Sequence, residues 1–159
     1  MKLVTFIGPN ATVQPGVIQN GHVVGLAGMG MPTMTSVLVA GEAAQRQIQS
    51  YVNSNEPSSP MLETVKLLAP VPRPNKIICI GLNYRDHAIE SNMAIPEVPT
   101  VFCKFASSVI GPGDNVVLPK NSTKPDYEAE FALVIGKPGR YIDASKWQEH
   151  VFGYLNLND

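Results

Sequence analysis

Residues 128–135 read Glu-Ala-Glu-Phe-Ala-Leu-Val-Ile (EAEFALVI), and Gly136 closes the run. Five consecutive apolar residues from Phe131 to Ile135, ended by a glycine, predict a short strand that enters a core. Side chains alternate along a strand, so Glu128 and Glu130 are predicted to point to the same face. Two neighbouring carboxylates repel, and burying them unpaired is costly. One remedy is a divalent cation held by oxygen ligands. The alternative is a solvent-facing edge that carries two acids. Asp126 adds a third acid nearby, and Asp159 a fourth, after another predicted strand. Three oxygen ligands completed by water suit Mg²⁺, Mn²⁺ or Ca²⁺ rather than zinc.

Outward from this strand the pattern is again short strands and turns. Residues 76–80 (KIICI) form a continuous apolar run, fit for a strand buried on both faces. A short helix is predicted over 84–91. Strands are predicted over 101–105 and 115–118, separated by the turn Gly111-Pro112-Gly113-Asp114. Asp143 or Ser145 can cap a helix through His150, followed by a strand over 152–157. Nearer the N-terminus, residues 2–7 (KLVTFI) are β-prone, and Asn20-Gly21 is a strong hairpin signal. Residues 35–52 fit one helix, with Val37, Leu38, Ala44 and Ile48 on one face, and 53–60 (NSNEPSSP) fit a polar linker. A strand over 65–68 precedes Pro70, Pro72 and Pro74, a stiff extended connector. The boundary is placed there: 1–72 as a small N-terminal α+β domain, 73–159 as a second unit with a different character.

Composition narrows the function. In 159 residues there are 12 Lys+Arg against 13 Asp+Glu, a net charge of −1, so no basic footprint for nucleic acid exists. No polybasic run addresses a membrane surface, and no apolar run approaches the ~20 residues of a membrane helix. Hydrophobic residues make up 44%, too many for disorder. Charged residues are only 16%, below the usual ~25%, which weakly favours hidden surface in a homodimer or against further sequence. Cys79 and Cys103 are isolated in apolar surroundings and read as buried free thiols of a reducing compartment. The N-terminal apolar stretch is too short for a secretory signal, so the expected location is cytoplasmic, with a mitochondrial one left open.

Two further groups carry chemistry. His87 and Glu90, at i and i+3 of a predicted helix, share a face. A carboxylate beside an imidazole raises its basicity and fixes its tautomer, which suits a general base; an ordinary surface pair is the plain alternative. Lys104 interrupts an apolar run and either snorkels to solvent or faces an anionic ligand.

Four motifs, in order, resemble the fumarylacetoacetate hydrolase family. Residues 81–90 (GLNYRDHAIE) match its G-x-N-Y-x-x-H-x-x-E signature, and Phe102-Cys103-Lys104 its F-x-K segment. Asp126-Tyr127-Glu128-Ala129-Glu130, followed by Val134-Ile135-Gly136-Lys137, resembles its D-Y-E-x-E…V-I-G-K strand; Gly153-Tyr154…Asn158-Asp159 resembles its G-Y…N-D stretch. The wording of residues 105–112 is closest to the domain-containing 2 branch. The resemblance implies an α+β, mostly β fold, a mixed-strand barrel-like β-roll. It implies Mg²⁺ or Mn²⁺ held by Glu128, Glu130 and Asp159, His87 as base oriented by Glu90, and Lys104 on the substrate side. Implied substrates are small keto or 1,3-dioxo acids. The implied reactions are C–C hydrolysis of acylpyruvate or fumarylacetoacetate type through an enolate, oxaloacetate keto–enol tautomerisation, or decarboxylation. A homodimer is expected. The family's catalytic domain runs well past the N-D motif, so 73–159 is expected to be only its first part, and an inactive fragment is the non-enzyme alternative.

Overall fold

The computed structural model describes all residues, Met1–Asp159. Three antiparallel strands, β1 (Lys2–Ile7), β2 (Val13–Gln19) and β3 (His22–Gly25), are joined by β4 (Lys66–Leu68) in a sheet of order β3-β2-β1-β4. The β2–β3 turn is the one the sequence predicts: Asn20 and Gly21 have φ of 49° and 82° and bring Gln19 opposite His22. Residues that tolerate positive φ match the turn to the strands' twist.

One face of this sheet is covered by α1 (Met34–Ala40) and α2 (Gln45–Asn55). The single helix expected over 35–52 is two, because Gly41 adopts φ 58°, ψ −156°, outside the helical region. Thr33 and Ser36 cap α1 reciprocally. The core gathers Val17, Val24 and Leu26 from the sheet side with Met34, Val37, Ala44, Ile48 and Val52 from the helical side. Each such valine, leucine or isoleucine contributes about 1.5–3 kcal/mol by leaving water. The polar linker expected over 53–60 is partly helical instead. Asn55 Nδ2 donates to the Tyr51 carbonyl and Ser59 Oγ to the Asn55 carbonyl (2.8 and 2.9 Å), satisfying acceptors at the helix end.

Beyond the proline connector the chain forms two separate strand pairs. β5 (Ile77–Gly81) pairs with β6 (Thr100–Lys104), with α3 (Arg85–Glu90) between them in sequence; β7 (Ala129–Ile135) pairs with β8 (Val151–Asn158). The architecture is α+β and mostly strands, with no closed barrel among these sheets. Four expectations change. The 76–80 strand is not buried on both faces: it has one strand neighbour, and Ile78 and Ile80 remain 64% and 44% exposed. The cysteines are free, but Cys79 is only half-buried and Cys103 is exposed, because they lie in this same thinly covered pair. Residues 115–118 form no strand, and Val117 is 89% exposed. The helix expected before His150 is a 3₁₀ segment, Ala144–His150, capped by Asp143, which accepts from Ser145 N at 2.8 Å.

The two parts touch at defined points. Phe152 of β8 and Val71 pack against the core beneath the helices. Gly111 lies directly on the backbone of Leu68, and Lys66 pairs with Asp114 at 2.9 Å. No helix of the chain is long and apolar enough to cross a membrane.

Candidate active site

Local geometry brings the candidate residues to one place. β5 ends at Gly81, and Leu82 turns the chain with φ 50° before α3 begins. A left-handed conformation at a bulky residue stores strain, which clusters at functional sites. Ala88, fully buried, pins α3, while His87 and Glu90 look outward three residues apart. β6 delivers Lys104 opposite Ile77. The β7–β8 register continues past the strand ends: Asp159 N donates to the Glu128 carbonyl at 2.8 Å, and Glu128 N donates to Asn158 Oδ1 at 3.2 Å. Glu128 and Asp159, 31 apart in sequence by number, are thereby neighbours across the ladder.

His87, Glu90, Lys104, Glu128 and Asp159 line one cleft of about 630 Å³. Ser91, Tyr127 and Asp126 complete it. Sequence reasoning noted Asp126 as an acid near the pair but gave no role to Ser91 or Tyr127. Their adjacency to Glu90 and Glu128 was the available signal. Glu130 is placed differently. Glu130 lines an adjoining cleft of about 390 Å³ with Tyr84, Phe131 and Asn156. His87 and Glu90 share the cleft, and no hydrogen bond joins them.

The strongest polar contact in the cleft is between Lys104 Nζ and Asp159 Oδ1. Asp159 is the less exposed partner, 14% against 39% for the lysine side chain. Hydrogen bonding to Asp159 holds the Lys104 ammonium above its ordinary pKa, against the smaller opposing effect of burial. The Cys79 thiol is also pushed up, first by burial and then by the negative charge of Asp159. Lys104 has a carboxylate of the protein itself as its partner.

A divalent cation fits this place by donor chemistry. Glu128, Glu130 and Asp159 offer only carboxylate oxygens, the donors hard cations take. Yet no three His, Cys, Asp or Glu side chains converge on one point. Asp159 is turned instead toward an ammonium.

Residues 76–159, which contain the whole cleft, match the family model described as the fumarylacetoacetate hydrolase C-terminal. The chain belongs to the fumarylacetoacetate hydrolase family. It is 41% identical over 167 aligned residues to a mitochondrial oxaloacetate tautomerase of Homo sapiens, covering 100% of this chain and 52% of that one. A second mitochondrial oxaloacetate tautomerase, from Xenopus laevis, is 43% identical over 126 residues, 79% of this chain and 39% of the relative. Among solved structures, the fumarylacetoacetate hydrolase of Exiguobacterium antarcticum superposes with a TM-score of 0.78 at 31% identity, covering 100% of this chain and 55% of that one. Maleylpyruvate hydrolase from Sphingobium sp. SYK-6, in complex with manganese(II) and pyruvate, superposes with a TM-score of 0.76 at 26% identity over 100% of this chain and 58% of that one. The chain thus spans about half the length of the curated relatives it matches.

Proposed function

We propose that this chain carries the catalytic cleft of an enzyme that interconverts the keto and enol forms of a small dicarboxylic keto acid such as oxaloacetate. The observation that carries the reading is the convergence of His87, Glu90, Lys104, Glu128 and Asp159 on one cleft. The names of the 41%- and 43%-identical relatives favour tautomerisation over the C–C hydrolysis placed first on sequence grounds.

In this reading Glu128, Glu130 and Asp159 would hold Mg²⁺ or Mn²⁺. When bound, the cation supplies Lewis acidity toward the substrate's carbonyl and carboxylate oxygens. His87 takes the proton from the carbon between the carbonyl and the distal carboxylate, and the proton is returned at the carbonyl oxygen. The carboxylate of Glu90, on the same helical face, would orient the imidazole. Lys104 supplies positive charge for an anionic substrate. Residues 1–72 contribute none of the groups lining the cleft and act as the packed support of the second unit. We infer a homodimer, consistent with the low charge content.

C–C hydrolysis is the second reading, favoured by the manganese- and pyruvate-bound maleylpyruvate hydrolase to which the chain is similar. There His87 would activate water for attack on the distal carbonyl. The test uses the full-length protein with Mg²⁺ or Mn²⁺ and then with chelator. Ultraviolet absorbance follows the enol of oxaloacetate and, separately, of acetylpyruvate. Metal-dependent acceleration of oxaloacetate equilibration without pyruvate supports tautomerisation. Loss of acetylpyruvate signal with pyruvate formed replaces it by hydrolysis, and turnover of neither substrate refutes both.

A further inference from the structure

We propose that Lys104 is an internal counter-cation that competes with the divalent metal for Asp159, so that metal uptake is an exchange of an ammonium for a cation rather than simple addition. The inference rests on the metal reading above and goes beyond it.

The contact is direct: Lys104 Nζ pairs with Asp159 Oδ1, the carboxylate proposed as a metal ligand. Glu128 sits beside Asp159 across the ladder, so a cation is needed here to offset two adjacent negative charges. The only ammonium lining the cleft is that of Lys104. Its ammonium lies over the Phe102 ring, Nζ 5.7 Å from the centroid, a cation–π contact that helps hold the charge in place. The carboxylates do not converge as metal ligands while Asp159 faces the lysine. An Asp159 oxygen committed to an ammonium has one fewer lone-pair direction for a metal. Coordination by Asp159 therefore turns the carboxylate away from Lys104 and frees the ammonium toward the cleft, where an anionic substrate arrives. Substrate-side positive charge would thus be released only as the metal enters. This couples the order of binding, metal first and keto acid second.

The test is Mn²⁺ titration calorimetry on full-length wild type, Lys104→Met and Lys104→Arg, together with melting temperatures in chelator and in saturating Mn²⁺. Exposed-to-half-buried ion pairs have modest strength, so Lys104→Met is expected to bind Mn²⁺ roughly 2- to 10-fold more tightly. Lys104→Arg, which keeps a cation able to pair with a carboxylate, should stay near wild type. Lys104→Met should lower the melting temperature in chelator, and saturating Mn²⁺ should close that gap, because a ligand that binds the folded state more tightly stabilises it more. Equal or weaker Mn²⁺ binding by Lys104→Met overturns the exchange while leaving the metal reading intact. An equal loss of melting temperature with and without Mn²⁺ assigns Lys104 a packing role only and also overturns it. Absence of Mn²⁺ binding to wild type refutes the metal reading itself, and the exchange with it.

Discussion

Replacing Gly111 by alanine tests how the strand pairs that carry the cleft are seated on the N-terminal sheet. A Cβ at Gly111 would lie 2.9 Å from Leu68 Cα, 3.0 Å from Ala69 N and 3.1 Å from the Leu68 carbonyl carbon. All three are backbone atoms, which cannot rotate away as a side chain does. The two segments must therefore separate by several tenths of an ångström. Overpacking of this kind costs about 1–3 kcal/mol. Against it stands the gain of about 0.4–1 kcal/mol from a stiffer unfolded chain, so the mid-range net loss is about 1.3 kcal/mol. At roughly 2–4 °C per kcal/mol for a protein of this size, the melting temperature should fall by about 3–5 °C. The assay is thermal unfolding by circular dichroism. Lys66 and Asp114 bridge the same joint at 2.9 Å, so separation should also weaken their pairing. Asp114→Asn should then cost less in the Gly111→Ala background than alone, a non-additivity that a double-mutant cycle detects. A melting temperature within about 1 °C of wild type, or strict additivity with Asp114→Asn, would show that the segments do not press on each other at this point.

Asp114 itself predicts a pH dependence: pairing with Lys66 and the Gly111 N–H hold its carboxyl below its ordinary value of 3.8. A group depressed in the folded state stabilises above its unfolded pKa and ceases to do so as pH falls through the folded one. The stability gap between wild type and Asp114→Asn in urea should therefore persist at pH 5–7 and close only below about 3.8; a gap that survives to stronger acid refutes the assignment. Substituting His87 by alanine should lower kcat roughly 10²–10⁴-fold while leaving the Mn²⁺ dissociation constant unchanged. Unaltered turnover would show that another group moves the proton. Conversely, Glu128→Gln should weaken Mn²⁺ binding by more than the roughly 10–100-fold seen for groups one step removed from a metal, as calorimetry would read directly.

The strands that carry the cleft were legible because each is announced by a local pattern. The run from Phe131 to Ile135, the Ile-Ile-Cys-Ile segment and the stretch around Phe152 to Leu157 all became strands. So did the Asn20-Gly21 hairpin, whose two positive φ values are the property that marks those residues in sequence. Breaks inside a pattern were less visible. Gly41 interrupts an amphipathic run that reads as one helix, since periodicity on either side continues almost in phase. Burial was misjudged where it depends on how many layers cover a strand, a non-local property. Ile78 and Val117 are as apolar as the core residues Val23 and Val37, yet they stay exposed.

The cleft shows the same division between local and non-local information. His87 and Glu90 could be paired from their spacing alone, and α3 keeps them on one side. Pairing Glu128 with Glu130 used the same kind of rule, and in the structure the two line separate clefts. What joins Glu128 to Asp159 is a ladder hydrogen bond between residues far apart in the chain, and spacing cannot reveal it. Lys104 is the sharpest case. In sequence it is a lone charge in an apolar run, open to either solvent or a ligand. The fold sets β6 so that the ammonium meets a carboxylate from the end of β8. Neither strand pairs with the other, so this contact links two separate sheets through a single pair of charges. A cation that takes the carboxylate of Asp159 would therefore act on the joint between the sheets as well as on the chemistry within the cleft.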